Sequence, residues 1–364
     1  MTNRENVLQA LRREHPEWVP FEFCACPSIV KKLKTVIGTS NYQDYYNFPI
    51  RYIELNPTQK KPDFSKFYHH VPFDINPLNW APEWGVMAKS GSIEHFQEML
   101  HPMADFQSVT EIEEYPFPDF NAAYRWDGVA DKVKGLVNKD LIAVAPMQMT
   151  LFETAWYLRG MDTFMVDMMT NPDFAVNLLD KIAEIRIGMA EKYATAGFDI
   201  LQLGDDIATQ LNMMISPELW RTLIKPRLAQ VVAAAKNTKP DILVFYHGDG
   251  NMQKVIPEII EIGIDILNPI QPECMDPFEM KRLYGNKLSF WGGLGTQTTL
   301  PFGTPDEVRQ TCKRLIQEVG KGGGYFLSPT HVVEPEVPLE NLLAFIEAAK
   351  EYGDIRWDRG NNSW

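Results

Sequence analysis

Cysteine is scarce in this chain, and positive charge is outweighed. The four cysteines, Cys24, Cys26, Cys274 and Cys312, form no CxxC pair. In a chain of 364 residues this excludes a disulfide framework of the small secreted kind. Cys24 and Cys26 stand at strand spacing, which predicts two small core residues on one strand face. Lysine and arginine number 35 against 48 acidic residues, a net charge of −13. A broad electrostatic grip on nucleic acid or on an anionic membrane is not expected. A local basic pocket for an anionic substrate is compatible with that balance. No window approaches the roughly 18 consecutive apolar residues of a membrane span. The opening MTNRENVLQALRREHPEWVP lacks an apolar signal core, so a cytoplasmic protein is expected. No GxGxxG follows the first strand pattern, which weighs against a dinucleotide-binding sheet.

What the chain does have is ordinary globular composition, 45% hydrophobic and 23% charged. Its length fits one large α/β barrel, and residues 1–364 are read as one such unit. NRENVLQALRRE predicts a helix capped by Asn3. Val19–Cys24 reads as a first strand. Residues 42 to 125 are rich in aromatics, proline and polar turns, and predict long loops, with FQEMLHPMADF as a strand pair. From about residue 130 short apolar runs alternate with helical patterns. The strands are predicted at 141–145, 198–203, 242–246, 264–267, 287–291 and 325–327. The helices between them include 172–194, 217–235, 252–262, 277–284 and 305–319, and 339–352 closes the chain. These runs lack clean alternation, as parallel strands buried on both faces do. Seven strands are visible, and an eighth near Asp74-Ile75 would close a (β/α)8 TIM-type barrel with an irregular N-terminal region. KGGGY, at 321–325, precedes a strand and reads as a tight connection, not a phosphate loop.

In such a barrel the chemistry gathers where strands end. The polar residues at the predicted strand ends are Glu22, Gln148, Asp205, Asp206, Gln210, His247, Asp249, Asn268, Gln271, Gln297 and His331. FYHGDGN (245–251) places His247 and Asp249 directly after an apolar run, with glycines that let the backbone turn sharply. They can serve as two metal ligands or as a general acid–base pair; Asp-Gly is also common turn chemistry. In GDDIATQ (204–210) two adjacent carboxylates cannot both be buried and ionised without a cation, and adjacent residues tend to point apart. The bland alternative is a helix cap. His331 lies in SPTHVVEPEVPLEN, stiffened by Pro329, Pro335 and Pro338. The aromatics of MQMTLFETAWYLRGM (147–161), Trp156 and Tyr157 among them, and of FDINPLNWAPEW (73–84) can wall a pocket for a ring-shaped or methoxylated substrate, or simply pack the core.

DDIATQLNMMISPELWRTLIKPRLAQVV, FYHGDGN, LSFWGGLGTQTTLPFGTPDEV and GGGYFLSPTHVVEPEVPLEN together resemble the uroporphyrinogen decarboxylase superfamily, which also holds cobalamin- and thiol-linked methyltransferases. The resemblance runs over nearly the whole chain and implies a (β/α)8 barrel. True decarboxylases of the family carry an arginine-rich RQAGR motif after the first strand; here that place reads FEFCACPSIVKKL. The clamp for a porphyrinogen's carboxylates is missing. Asp74 resembles the family's catalytic aspartate, and His331 its late substrate-binding histidine. The family's zinc methyltransferases use His-x-Cys and a later Cys. The corresponding places here hold His247, Asp249 and His331, a harder but legitimate zinc set.

Two enzymatic readings follow from the resemblance. The first is a methyltransferase that moves a methyl group from a small, methoxylated donor to a corrinoid on a separate partner protein. Zinc held by His247, Asp249 and His331 would act as Lewis acid, aided by Asp206. The alternative is a metal-independent decarboxylase of a small carboxylated substrate, using Asp74 or Asp206, with His331 on a carboxylate. Glu22, Gln148, Trp156, Tyr157, Asp205, Gln210 and Gln297 are the substrate-binding candidates. A non-enzymatic binding module on the same barrel is a third class. Superfamily members are often homodimers, and no interface stripe is legible here.

Overall fold

In the computed structural model residues 1–78, 82–90 and 98–354 are described. Seven strands form a parallel sheet: β1 (Ile50–Tyr52), β5 (Ile142–Gln148), β6 (Ile200–Gly204), β7 (Leu243–His247), β8 (Ile266–Asn268), β9 (Ser289–Leu294) and β10 (Tyr325–Pro329), in that spatial order. Helices connect successive strands from β5 onward, the longest being Pro172–Thr195. Ile50, Ile142, Val144, Ile200, Leu243, Phe245, Ile266, Trp291 and Phe326 make one buried cluster to which every one of the seven strands contributes. That is the interior of a curled sheet, filled by side chains. Within it Trp291 and Phe326 stack with ring centroids 3.8 Å apart. Val7, Leu8 and Leu11 of the first helix join the same cluster and plug the end where the strands begin.

The place beside β10 is taken by Pro20–Phe23, within the Val19–Cys24 segment read as the first strand, while the place of the eighth strand expected near Asp74-Ile75, between that segment and β5, is taken by β1. Phe21 bridges Leu327 in parallel, and Glu22 N–H donates to the Leu327 carbonyl. Pro20 has no N–H to give, so pairing stops short of a full strand. Among the described residues no ladder joins this segment to β1. Phe21 and Phe23 instead pack edge-on to Phe48, just before β1, at 5.6 and 5.1 Å. Strand β1 itself lies in the stretch read as loop; three residues are too few for a period to show.

Ile75–Pro77 is strand β2 of a separate antiparallel sheet with β3 (Met87–Lys89) and β4 (Met99–Leu100). Its exposed face and terminal proline suit an edge strand. Of FQEMLHPMADF only Met99–Leu100 is strand; Phe96 and Gln97 fall outside the described residues. Residues 79–81 of FDINPLNWAPEW, with Trp80, also fall outside them. Two local expectations are corrected. The first helix is capped by Thr2, with Glu5 completing a capping box, and not by Asn3. Cys26 is buried, but Cys24 is exposed, so the pair does not form one core face. KGGGY does lead straight into β10, with three successive glycines at positive φ. Among the described residues no helix is long and apolar enough to cross a membrane.

Candidate metal centre at the strand ends

The parallel register brings Gln148, Gly204, His247 and Asn268 to one level, at the C-terminal ends of β5 to β8. Gly204 has to be glycine. A Cβ there would stand 2.7 Å from both the Cβ and the carbonyl oxygen of His247. Beyond this level two loops meet. The Gly250 N–H donates to Gln271 Oε1 at 2.7 Å, and Asn251 N–H donates to the Thr209 carbonyl at 2.8 Å. Gly250 adopts φ +84°, and a Cβ on it would lie 2.5 Å from Thr209 O. The HGDG turn is thereby pressed against the GDDIATQ loop.

Asp205 and Asp206 part company. Asp205 turns into the protein, fully buried, and accepts hydrogen bonds from the N–H groups of Leu151 and Glu153. Burial pushes its carboxyl up to about 7 against those two bonds. Asp206 turns the other way. Its Oδ1 accepts the Asp249 N–H at 2.8 Å and stands 3.9 Å from His247 Nε2. Asp249 Oδ1 is 3.8 Å from the same nitrogen. Asp206, His247 and Asp249 offer three ligand atoms all within 4.8 Å of one another.

Three observations match this set to a cation. The Asp249 Oδ1 is buried without a hydrogen-bond partner, an expensive state for a carboxylate oxygen. Burial accordingly raises the Asp249 carboxyl, with His247 opposing. The His247 ring is oriented from behind: its Nδ1 lies 2.6 Å from Asn268 Oδ1, while Asn268 Nδ2 donates to the Trp291 carbonyl. An amide oriented by Trp291 presents its oxygen, so Nδ1 donates to it and Nε2 is the nitrogen turned toward Asp206 and Asp249. A tetrahedral zinc with ligands at ~2.0–2.1 Å needs its donors roughly 3.4 Å apart, a contraction of about half an ångström from the histidine–carboxylate distances.

Beneath the centre sits Glu153, a residue that the sequence reading overlooked. Its Oε2 accepts the Asp206 N–H at 3.1 Å, and its Oε1 accepts the Tyr157 hydroxyl at 2.9 Å. Burial, then the charges of Asp206 and Asp205, push its carboxyl upward. The signal was present, since Glu153 and Tyr157 are four apart on the helix Phe152–Arg159 and share a face.

The other candidates scatter round the mouth. His331 is exposed and lies outside the three-residue cluster, acting on Asp249 only through space. Asp74 is exposed just before β2 of the antiparallel sheet. Gln210 and Gln297, both exposed, hydrogen-bond each other. Trp156 packs edge-on to Tyr157 at 4.0 Å. Glu22 lies across the mouth, its carboxyl raised to about 8 by burial against the pull of Arg51. Tyr52 keeps 45% of its surface accessible, yet the protein packed round it pushes its hydroxyl well above the usual phenol range. Both hold for a side chain that faces a deep mouth instead of bulk solvent.

Residues 2–352 match the family model described as uroporphyrinogen decarboxylase (URO-D). The chain belongs to the URO-D family. Relatives of two kinds are similar to it. A methylated-thiol–coenzyme M methyltransferase of Methanosarcina mazei is 26% identical over 60% of this chain and 56% of its own. The methylcobamide:CoM methyltransferase MtaA of Methanosarcina barkeri is 24% identical over 54% of each. A uroporphyrinogen decarboxylase of Pseudomonas syringae pv. tomato is 25% identical over 76% of this chain and 77% of its own. The chain thus spans little more than half the length of those two methyltransferases. In fold it is similar to a methyltransferase from Methanosarcina mazei, with TM-score 0.67 and 20% identity, covering 97% of this URO-D family chain and 99% of that one.

Proposed function

We propose that this URO-D family chain is a methyltransferase that moves a methyl group from a small, methoxylated donor to a corrinoid carried by a separate protein. The observation that carries the reading is the convergence of His247 Nε2 with the carboxylates of Asp206 and Asp249. They would hold a divalent metal, zinc by donor type. Once bound, such a metal supplies Lewis acidity toward a donor oxygen. Similarity to proteins named methyltransferases supports the same reaction class.

The chain's own residues do the positioning. Asn268 fixes the ring of His247, and Gly204 leaves room for it. Asp206 is held by its backbone to Glu153, whose carboxyl keeps its proton above the usual carboxylate range. Glu22 and Glu54 stand at the strand ends with carboxyls raised by burial. A crowd of further negative groups would be poorly received there, which weighs against an eight-carboxylate tetrapyrrole.

The test is the metal content of purified protein, wild type and His247→Ala, followed by a cob(I)alamin methylation assay with a panel of methoxylated donors. One zinc per chain, lost in the variant together with turnover, is the expected result. Absence of metal after incubation with zinc, or turnover that survives chelation, would overturn it. Carbon dioxide release from a small acid without metal would favour decarboxylation.

A further inference from the structure

Three arginines are buried among the described residues: Arg125, Arg159 and Arg186. Two of them face carboxylates. Arg125 grips Glu83 with Nη1 at 2.6 Å and Nη2 at 2.9 Å. Arg159 Nε is 2.7 Å from Asp167. Arg186, only 4% accessible, has no carboxylate within ion-pair distance among the described residues. Its Nε donates to the Thr150 carbonyl at 3.2 Å, and its Nη2 to the Met149 carbonyl at 2.8 Å and Thr154 Oγ1 at 3.3 Å. Its Nη1 meets only the Met189 thioether sulfur, at 3.7 Å. Asp205 acts on it through space, but its own oxygens receive the N–H groups of Leu151 and Glu153. The positive charge is therefore held inside the protein by neutral dipoles, by the Trp84 ring 5.2 Å away and by the through-space pull of Asp205, without the direct ion pair that buried charges ordinarily have.

That charge faces a cavity of about 350 Å³ beside the end of β5. Arg186 lines it together with Trp84, Phe120, Tyr157 and Tyr193; Gln148 stands at its rim, and Glu54, also on the wall, has a carboxyl that burial raises toward its neutral form. The volume is at the small end for ligand sites, enough for one ring and a carboxylate. Gln148 is level with His247 two strands away, or roughly 10 Å at the usual strand spacing. Tyr157 also ties the cavity wall to Glu153 under the metal centre.

We propose that this cavity binds a single-ring aromatic carboxylate, its carboxylate seated on the Arg186 guanidinium and its ring between the aromatic walls. A planar guanidinium suits a carboxylate, and a ring stacks on the flanking side chains. The proposal deepens the methyl-transfer reading, under which the ligand is the methyl donor; the binding itself does not depend on that reading.

The test is calorimetric titration of metal-free full-length protein with benzoate, 4-methoxybenzoate and 3,4-dimethoxybenzoate, each beside its neutral amide. Saturable binding of at least one acid is expected, with its amide at least tenfold weaker. Arg186→Met should lose at least tenfold in affinity, and Arg186→Lys should recover part of it. Because Arg186 also holds the Met149 and Thr150 carbonyls, a second variant is needed. Gln148→Trp, at an exposed rim position, obstructs the cavity without touching Arg186 and should also lose at least tenfold. No binding of any of the three acids, equal binding of acid and amide, or undiminished binding in folded Gln148→Trp would each overturn the proposal. Since no metal is present, failure here leaves the metal-content test of the reaction untouched, and the reverse holds too.

Discussion

His247 Nδ1 stands 2.6 Å from Asn268 Oδ1, one strand over. That contact decides which ring nitrogen faces Asp206 and Asp249. A side chain outside the ligand set therefore controls the ligand. Asn268→Ala should lower zinc affinity by about 10–100-fold, the usual effect of losing such a partner, and leave the fold intact. Competition against a chromophoric chelator measures it. An unchanged affinity would mean that the ring is oriented by something else.

Gly204→Ala places a methyl group 2.7 Å from the Cβ and the backbone oxygen of His247. The neighbour is part of a strand and cannot swing away. The variant should lose about 1–3 kcal/mol, as overpacking does, and bind zinc more weakly. Urea midpoints with and without metal separate the two effects. A variant as stable as wild type, with normal metal binding, would show that β6 and β7 can spread at that level.

Glu22 gives a pH signature with a definite sign. Its carboxyl lies near 4.5 in the unfolded chain and about 8 in the folded one, chiefly through burial. Below 4.5 both states are protonated and nothing is gained or lost. Between 4.5 and 8 the unfolded chain releases a proton that the folded chain keeps, so stability falls as pH rises, then levels off. Glu22→Gln should remove that fall, so its stability advantage over wild type should grow across this window. Urea midpoints at several pH values for both proteins test it. Parallel curves would mean that Arg51 keeps Glu22 ionised after folding.

Phe326 is fully buried in the barrel interior and stacked on Trp291. Phe326→Ala should cost about 3–5 kcal/mol, transfer and cavity terms together. Chemical denaturation gives the value. A loss below about 1 kcal/mol would mean that the interior collapses round the gap.

The regular part of the fold was legible in the residues because short apolar runs alternate with helical periods from about residue 130. The Pro277–Tyr284 and Leu339–Tyr352 helices fall where the pattern put them. The irregular part was not. Strand β1 is three residues long, and Pro20–Phe23 pairs through too few donors to form a regular strand. Arg186 was legible in retrospect: it occupies the buried stripe of Ile182, Ala183, Met189 and Ala190, where a charge is out of place.

The sequence by itself determined the α/β class, the strand ends as the seat of polar groups, and His247 and Asp249 as neighbours in a glycine turn. Local patterns suffice for those, because side-chain period and turn chemistry act over a few residues. The tertiary structure alone decided which carboxylate joins them. Asp205 and Asp206 are chemically identical and adjacent. Only the backbone N–H groups of Leu151 and Glu153, arriving from more than fifty positions away, draw Asp205 inward and leave Asp206 facing His247.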